Sequence, residues 1–197
     1  MIIDIPKQAL VNRIIPKDRF NFQDATKIDR IRWLGKLAPT TINLSAKKVP
    51  EIQIFSVEMP DFDQNVIVRI LDKVPQVILF IINDEWAAMD YDNQLVIKKI
   101  NNKLDIRGIT LDDVRDNFVR QLLDLPDSSQ PLAQQVAQVR EIEKVQLEID
   151  KLNQQIKRSV QVNKKQILAR KRYELEQLID HLTYSRTNIK PYGETND

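Results

Sequence analysis

The sequence contains no cysteine, one histidine and only three glycines among its 197 residues. Without cysteine the chain cannot form disulfide bonds or thiolate zinc sites, and a single histidine leaves little material for a Ser-His-Asp triad. The glycines are too few and too widely spaced for the phosphate-binding loops of the G-x-G-x-x-G and Walker patterns. Chemistry in this chain must therefore rely on carboxylates, lysine, arginine and tyrosine.

Long apolar runs are also absent. The run at residues 77–82 is far shorter than the roughly 20 residues that a membrane helix requires. Residues 1–10 have no basic segment, long apolar core or small-residue cleavage site, so they do not predict a signal peptide. We therefore expect a soluble protein without membrane contact, and the lack of cysteine favours the cytoplasm.

Apolar residues make up 42% of the chain and charged residues 29%. This composition and length predict one globular domain of about 100–150 residues with an appendage. The predicted organisation is an α+β globular domain over 1–125, a linker over 126–131, a helical hairpin or coiled coil over 132–188 and a disordered tail over 189–197.

Four of the predicted strands have clear patterns in the second quarter and middle of the chain. Residues 51–59 alternate polar and apolar side chains, which is typical of a half-buried strand. Residues 77–82 are continuously apolar and predict a central strand that is buried on both faces. Residues 86–91 fit the returning strand of a hairpin, and residues 95–100 predict a further strand. The fold class that follows is α+β, with a small mixed sheet and packed helices.

The other elements of the globular domain are predicted from apolar spacing and capping residues. We predict a first helix within 22–39, a short strand over 41–44, a second helix over 63–74 and a third over 110–125. Thr110 is the predicted N-cap of the third helix, because aspartates and an apolar face follow it.

The C-terminal part of the chain has the pattern of long helices. Residues 132–189 contain neither glycine nor proline, and two heptad-like apolar runs lie out of register with each other. Residues 159–163, between the runs, are polar and β-branched and therefore weak helix formers. We predict a hairpin that turns there or a partner-paired coiled coil, with one interrupted helix as the alternative.

A basic run without any acidic residue crosses that segment. Such a run is typical either of a surface that binds nucleic acid or a partner, or of the solvated face of a long helix. Its members are the candidate binding residues Lys157, Arg158, Lys164, Lys165, Arg170, Lys171 and Arg172.

Several segments resemble the family named domain of unknown function 4391. They are VNRIIPK at 11–17, IRWLGKLAPTTIN at 31–43, EIQIF at 51–55, PQVILF at 75–80 and the basic QVNKK at 161–165. The resemblance implies an accessory protein of a bacterial defence locus of the restriction type, beside a helicase or DNA methyltransferase. The family has no assigned activity that the resemblance could carry over to this chain.

The predicted order of helix, strand, strand, helix and strand is similar to that of PD-(D/E)xK nucleases. Those enzymes hold Mg²⁺ with two carboxylates beside a lysine. The corresponding positions here are Asn43, Glu51 and Gln53, of which only Glu51 keeps the residue type. The other acidic residues predict no metal site.

We therefore expect a non-catalytic accessory subunit of a DNA-directed defence system, working without metal or cofactor. Its helical tail would bind a helicase or DNA methyltransferase subunit, or a second copy of the chain. The alternative is a degenerate or active PD-(D/E)xK-like nuclease, or a DNA-binding subunit. Of these functions, only the nuclease would use Mg²⁺.

Overall fold

The computed structural model describes residues 2–127 and 130–187, with side chains described up to residue 183. The predicted disordered tail at 189–197 therefore lies outside the described residues. Between Asp124 and Leu125 the chain divides into two compact units. The first unit is a mixed α+β fold and the second is a pair of long helices.

A six-stranded sheet forms the first unit, and its strands lie side by side in chain order. Strands β3 and β4 are parallel, and every other neighbouring pair is antiparallel. The strands are β1 (Leu10–Ile14), β2 (Arg30–Leu37), β3 (Ile52–Glu58), β4 (Val77–Ile82), β5 (Trp86–Tyr91) and β6 (Gln94–Lys99). Parallel neighbours require a crossover connection, which here contains helix α2 (Gln64–Leu71).

Helices cover both faces of the sheet. On one face, Ile67 and Ile70 of α2 belong to the same buried cluster as Phe55, Val57 and Phe80 of the central strands. On the other face lies α3 (Leu111–Leu122), where Lys98 of β6 donates to the Gln121 carbonyl oxygen at 3.0 Å. This arrangement explains why β4 is apolar along its whole length.

The strongest sequence patterns are confirmed. The strands predicted at 51–59, 77–82, 86–91 and 95–100 are β3 to β6, and the helices predicted at 63–74 and 110–125 are α2 and α3. The Asp63 carboxylate accepts from the Asn65 backbone N–H at 2.9 Å and caps α2. The Thr110 hydroxyl accepts from the Asp113 N–H at 3.2 Å and caps α3, as predicted.

The helix predicted within 22–39 is wrong, because residues Arg30–Leu37 form β2. Ile28, Ile31 and Leu34 have helical spacing, but pairing on both sides with β1 and β3 determines the local structure. Gly35, which the sequence pattern predicts as the end of a helix, lies where the turn just before β1 approaches closely. A Cβ atom there would lie 2.9 Å from the Ala9 carbonyl oxygen.

The short strand predicted at 41–44 is also wrong. Residues Pro39–Ile42 form a single helical turn, α1, with the proline at its first position. The Thr41 hydroxyl accepts from the Ala38 N–H at 2.9 Å and donates to the Lys36 carbonyl oxygen at 2.8 Å. These local hydrogen bonds stabilise the helical turn, and this stabilisation outweighs the β propensity of Thr-Thr-Ile.

The second unit consists of α4 (Leu132–Arg158) and α5 (Val162–Thr187), which pack against each other. The chain turns at residues 159–161, within the predicted turn segment, so the single interrupted helix is excluded. The ammonium of Lys171 on α5 lies 2.6 Å from a carboxylate oxygen of Glu148 on α4. Across the described residues, no helix combines the length and apolarity needed to span a membrane.

The Asp112 carboxylate connects α3 to the loop before β3. It accepts backbone N–H groups of Lys47 at 3.0 Å, Lys48 at 3.0 Å and Val49 at 3.4 Å. Desolvation opposes ionisation of this carboxyl, but the three N–H donors outweigh it and hold the pKa of Asp112 below its usual value. The ionised carboxylate thus fixes a loop more than 60 residues away in the chain.

Replacing Asp112 by Ala removes the acceptor for all three N–H groups, and we expect the free energy of unfolding to fall by about 1–3 kcal/mol. Because the folded-state pKa is lowered, the contribution is present above the unfolded-state pKa and is lost as the pH falls through the folded-state pKa. Urea unfolding of both proteins from pH 7 to pH 3 measures this, and a stability difference that stays constant with pH would contradict it.

Candidate functional site

An open groove of about 520 Å³ lies on the α2 side of the sheet, beside the starts of β3 and β4. Its lining combines apolar and aromatic side chains with polar and charged ones. The lining residues include Phe20, Trp33 and Phe55 on the walls and Arg19, Lys36, Glu51, Gln53, Lys73 and Gln76 among the polar groups.

A β-bulge in β2 brings two of these residues to one face. Trp33 pairs with Phe55 and Lys36 pairs with Gln53, with a shift in register after Trp33. In a regular strand, side chains three positions apart point to opposite faces. Because the bulge adds one residue to β2, the side chains of Trp33 and Lys36 both line the groove.

Glu51, Gln53 and Lys36 form a connected polar cluster at the floor of the groove. The Gln53 amide donates from Nε2 to Glu51 Oε1 at 2.8 Å. The other carboxylate oxygen, Oε2, forms an ion pair with the Lys36 ammonium. An ionised carboxylate can only accept hydrogen bonds, so this contact fixes which end of the amide faces Glu51.

The fixed amide leaves one buried acceptor. Gln53 is only 6% exposed, and its Oε1 atom has no hydrogen-bond partner in the structure. Buried amide oxygens nearly always have a partner, and an unpaired one costs about 1–3 kcal/mol. The oxygen itself has almost no accessible surface, so it does not face the open groove although other parts of Gln53 line it.

The three nuclease-like positions are only partly brought together. Glu51 and Gln53 are in contact, but Asn43 follows α1 in the left-handed conformation, with φ of 53°, and is exposed. Asn43 is not among the residues that line the groove. The element order behind the nuclease comparison is also wrong at its first helix and first strand.

The chemistry of the cluster favours hydrogen bonding over metal binding. Among the described residues, no group of three or more histidine, cysteine, aspartate or glutamate side chains could hold a metal ion. Glu51 is a single carboxylate already paired with a lysine. Hard cations such as Mg²⁺ prefer several oxygen ligands, and the residues present here do not fit that need.

Sequence reasoning missed Lys36, Trp33 and Lys73 as groove residues. They lie on β2 and in the segment after α2, and only the bulge and the crossover bring them beside Gln53. If residues Arg30–Leu37 had been interpreted as a strand, Trp33 and Lys36 would have been placed beside β3. Nothing in the sequence indicated the position of Lys73.

The basic run separates into two groups in the structure. Arg170 pairs with Glu174 at 3.3 Å, Lys171 pairs with Glu148 at 2.6 Å and Arg172 pairs with Glu176 at 3.2 Å. The hydrogen bond and charge of Lys171 lower the pKa of Glu148. These three cations therefore serve contacts within and between the two helices.

The remaining four cations form the basic tip of the hairpin. Lys157 and Arg158 end α4, and Lys164 and Lys165 begin α5. All four are exposed, and in the part of the chain that the structure describes none of their side chains makes an ion pair. The first turn of α5 contains no acidic residue, so its positive helix end adds to the potential at Lys164 and Lys165. The negative end of α4 lies beside Lys157 and Arg158 and partly offsets their charge.

Helix α5 leaves apolar surface uncovered. Val145, Ile149 and Leu152 on α4 are buried, whereas Leu175 and Ile179 on α5 are only partly buried. Outside that seam, two separate apolar side chains of α5 are open to solvent, Ile167 at 71% and Leu178 at 39% exposure. The ion-paired residues Lys171 and Glu174 lie between them along the helix. Two helices alone therefore do not cover the apolar residues of α5.

Comparison with known proteins gives one match. A family model described as "Domain of unknown function (DUF4391)" matches residues 3–178, which is most of the chain. No curated protein and no solved structure matches. The match extends over both units and includes the groove and the basic tip.

Replacing Glu51 by Ala leaves the Gln53 Nε2 donor buried without its acceptor. We expect the free energy of unfolding to fall by about 1–3 kcal/mol, the cost of an unsatisfied buried donor. Glu85→Ala is the matched control, because the Glu85–Lys99 ion pair is 59% exposed on both sides and contributes about 0–1 kcal/mol. Urea unfolding measures both variants, and equal losses would contradict the structural role of Glu51.

Proposed function

Because the chain belongs to the DUF4391 family, whose description names no activity, we propose its function from its own surfaces. The protein is a non-catalytic accessory subunit of a DNA-directed bacterial defence system of the restriction type. Its helical hairpin binds a protein partner, either a helicase or a DNA methyltransferase subunit. The observation that carries this proposal is the uncovered apolar surface of α5.

A helix that keeps an apolar stripe in water is incompletely packed. The seam residues Leu175 and Ile179 remain partly open, and the exposed Ile167 and Leu178 add to this surface. A third helix laid along α5 would remove these side chains from water at roughly 25 cal/mol per Å² of apolar area. Recognition of one helix by another along such a stripe is a common mode of partner binding.

The groove supports a non-catalytic assignment. Its polar floor contains one carboxylate, and that carboxylate pairs with Lys36 and Gln53. General acid–base catalysis uses groups positioned to exchange protons with a substrate, and metal catalysis uses an ion with open coordination. The paired Glu51 fits neither description, so binding is the function these residues support.

A second candidate function, DNA binding, is favoured by the basic tip. The tip carries four exposed cations, and residues 151–173 contain no acidic side chain. Double-stranded DNA attracts such a surface through its phosphates, without reading sequence. DNA contact by the tip is compatible with a protein partner on α5, because the two surfaces use different residues.

Charge introduced on α5 tests the protein partner. The tagged full chain, expressed in its native host, is expected to co-purify with a helicase or methyltransferase subunit at a fixed ratio. Ile167→Glu and Leu178→Glu should reduce recovery of that subunit at least tenfold, because each places a charge in an apolar interface. Quantitative mass spectrometry of the purified complex gives the ratio.

The matched control is Leu147→Glu, which changes a 61% exposed apolar residue on α4. Recovery of the partner should be unchanged in this variant. A chain that purifies without either enzyme, a chain that purifies as a dimer of itself, or equal loss in the α4 control would each overturn the proposal of such a partner.

Charge reversal at the tip tests DNA binding. Affinity of the full chain for a 20-base-pair duplex is expected to fall with salt, with a log–log slope of roughly −3 to −4 if four phosphates are neutralised. Changing Lys157, Arg158, Lys164 and Lys165 to Glu should abolish this binding in fluorescence anisotropy measured at several salt concentrations.

The internal comparison is Arg170, Lys171 and Arg172 changed to Gln. Because these cations are already paired with carboxylates of the hairpin, their removal should weaken DNA binding less than threefold. It should instead lower the thermal stability of the hairpin. Affinity without salt dependence, or equal losses in the two sets, would exclude the tip as a DNA contact.

A further inference from the structure

We propose that the outer edge of β6 is a docking site for an extended segment of a partner protein, which adds a strand to the sheet and carries apolar and acidic side chains. Residues of the globular unit alone form this site, so it is independent of the partner proposed for the hairpin. Unpaired backbone groups, a regular strand and the local charge together define what binds there.

Strand β6 is paired on one side only. Its neighbour β5 lies on the inner side, and their pairing runs without a shift in register. The Ile100 N–H donates to the Glu85 carbonyl oxygen at 2.8 Å. Because hydrogen-bonded and non-hydrogen-bonded pairs alternate in an antiparallel ladder, the backbone N–H and C=O groups of Leu95, Ile97 and Lys99 point away from β5. Among the described residues, no group pairs with these backbone groups.

The opposite edge of the sheet, at β1, is irregular. Its register with β2 shifts between Leu10 and Arg13, and Asn12 has a positive φ of 51°. Such a break interrupts the even spacing of backbone groups that a further strand needs, and natural sheets use it to protect their edges. Strand β6 has no such break, so it is the edge that can accept a strand.

The two lysines of β6 do not block its edge. Lysine side chains on edge strands commonly discourage pairing with another chain. Here the Lys98 ammonium donates to the Gln121 carbonyl oxygen of α3 at 3.0 Å. The Lys99 ammonium lies 5.9 Å from the ring centroid of Trp86, its cross-strand neighbour on β5. Both side chains therefore lean over the faces of the sheet and leave the outer backbone groups open.

Apolar residues of β6 indicate one part of the ligand. Leu95 and Ile97 pack against the buried cluster on the α2 side of the sheet and remain partly exposed. Apolar side chains at alternate positions of an added strand would lie beside them and extend this cluster. In recognition of this kind, main-chain hydrogen bonds provide affinity and the alternate side chains provide specificity.

Charge indicates the other part of the ligand and argues against a second copy. Residues 93–104 contain three lysines and no acidic residue. The carboxylates that pair with Lys98 and Lys99 belong to Asp124 and Glu85, which are 77% and 59% exposed, so water screens both pairs. A second β6 would add the same excess of cations, whereas acidic residues on a partner strand would complement it. The segment that fits is extended and combines apolar with acidic residues.

Amide hydrogen exchange of the full chain, followed by NMR, tests whether the edge is open. The amides of Val96 and Lys98 face β5 and should exchange slowly. Those of Leu95 and Ile97 should exchange at least tenfold faster. Equal protection of the two sets would show that the chain already closes this edge, and would overturn the proposal.

The binding probe is a fluorescent peptide of alternating valine and glutamate. It should bind the full chain saturably in fluorescence anisotropy and slow amide exchange at Leu95 and Ile97 at least tenfold. The same peptide with lysine in place of glutamate should bind at least fivefold more weakly. A peptide with proline at its central positions should not bind, because it lacks the N–H groups of a ladder.

Proline substitution on β6 tests the backbone contact. Ile97→Pro removes an N–H that β5 does not use, and it should weaken peptide binding at least tenfold. Ile97→Ala is the matched control, since it loses the same side chain, keeps the N–H and should weaken binding less than threefold. Lys99→Pro and Lys99→Ala form a second pair at an exposed position. Circular dichroism and urea unfolding establish which variants are folded.

The proposal is overturned if no peptide binds at millimolar concentration, or if binding leaves the exchange of Leu95 and Ile97 unchanged. Equal affinity of a folded proline variant and its alanine control also overturns it. Self-association of the full chain in analytical ultracentrifugation, lost in Ile97→Pro or Lys99→Pro, would identify a second copy as the occupant and would overturn the partner segment.

Discussion

The parallel pairing of β3 with β4 is the constraint on which the rest of the globular unit depends. Parallel strands need a crossover, and here α2 supplies it and covers one face of the sheet. With α3 against the other face, β4 and most of β3 are removed from water. Any polar side chain on these strands must then find a partner inside the protein or in a ligand.

Gln53 is a polar residue of β3 that only partly meets this requirement. It lies at the start of β3, on the α2 face, in line with the buried Phe55 and Val57. An apolar residue there would avoid the cost of desolvating an amide. The chain instead has an amide that is oriented by Glu51 and Lys36 while its oxygen stays unpaired. The buried network is thus incomplete at one atom, and an unpaired buried acceptor reduces the stability of the folded state.

The elements that could be predicted from the sequence are those whose local pattern agrees with their tertiary surroundings. Residues 77–82 are apolar because both faces are covered, and Asp63 and Thr110 cap their helices through contacts within one turn. Strand β2 could not be predicted in this way, because its bulge interrupts the alternation after Trp33 and its partners are distant in the chain.

The same reasoning explains the outcome at the groove. Comparison with a nuclease motif selected Glu51 and Gln53, two residues apart on one strand, and these do lie together. It failed at Asn43, which belongs to a helical turn that local hydrogen bonds stabilise. Lys36 and Trp33 were not predicted as groove residues, because a β-bulge has no reliable sequence pattern. Without the bulge, one of these two side chains would face away from the groove.

The hairpin shows why a run of like charges cannot be interpreted from composition alone. Arg170, Lys171 and Arg172 pair with carboxylates one helical turn away or on the opposite helix, and such pairs stabilise the hairpin itself. Among the described residues, the four cations of the tip make no such pairs. The positive N-terminal end of α5 opposes Lys164 and Lys165, whereas the negative C-terminal end of α4 favours Lys157 and Arg158. The positive charge of Lys164 and Lys165 is therefore not neutralised within the hairpin, and an anionic surface could neutralise it. The position of the charges within the fold, rather than their number, therefore determines which part of the run is available for binding.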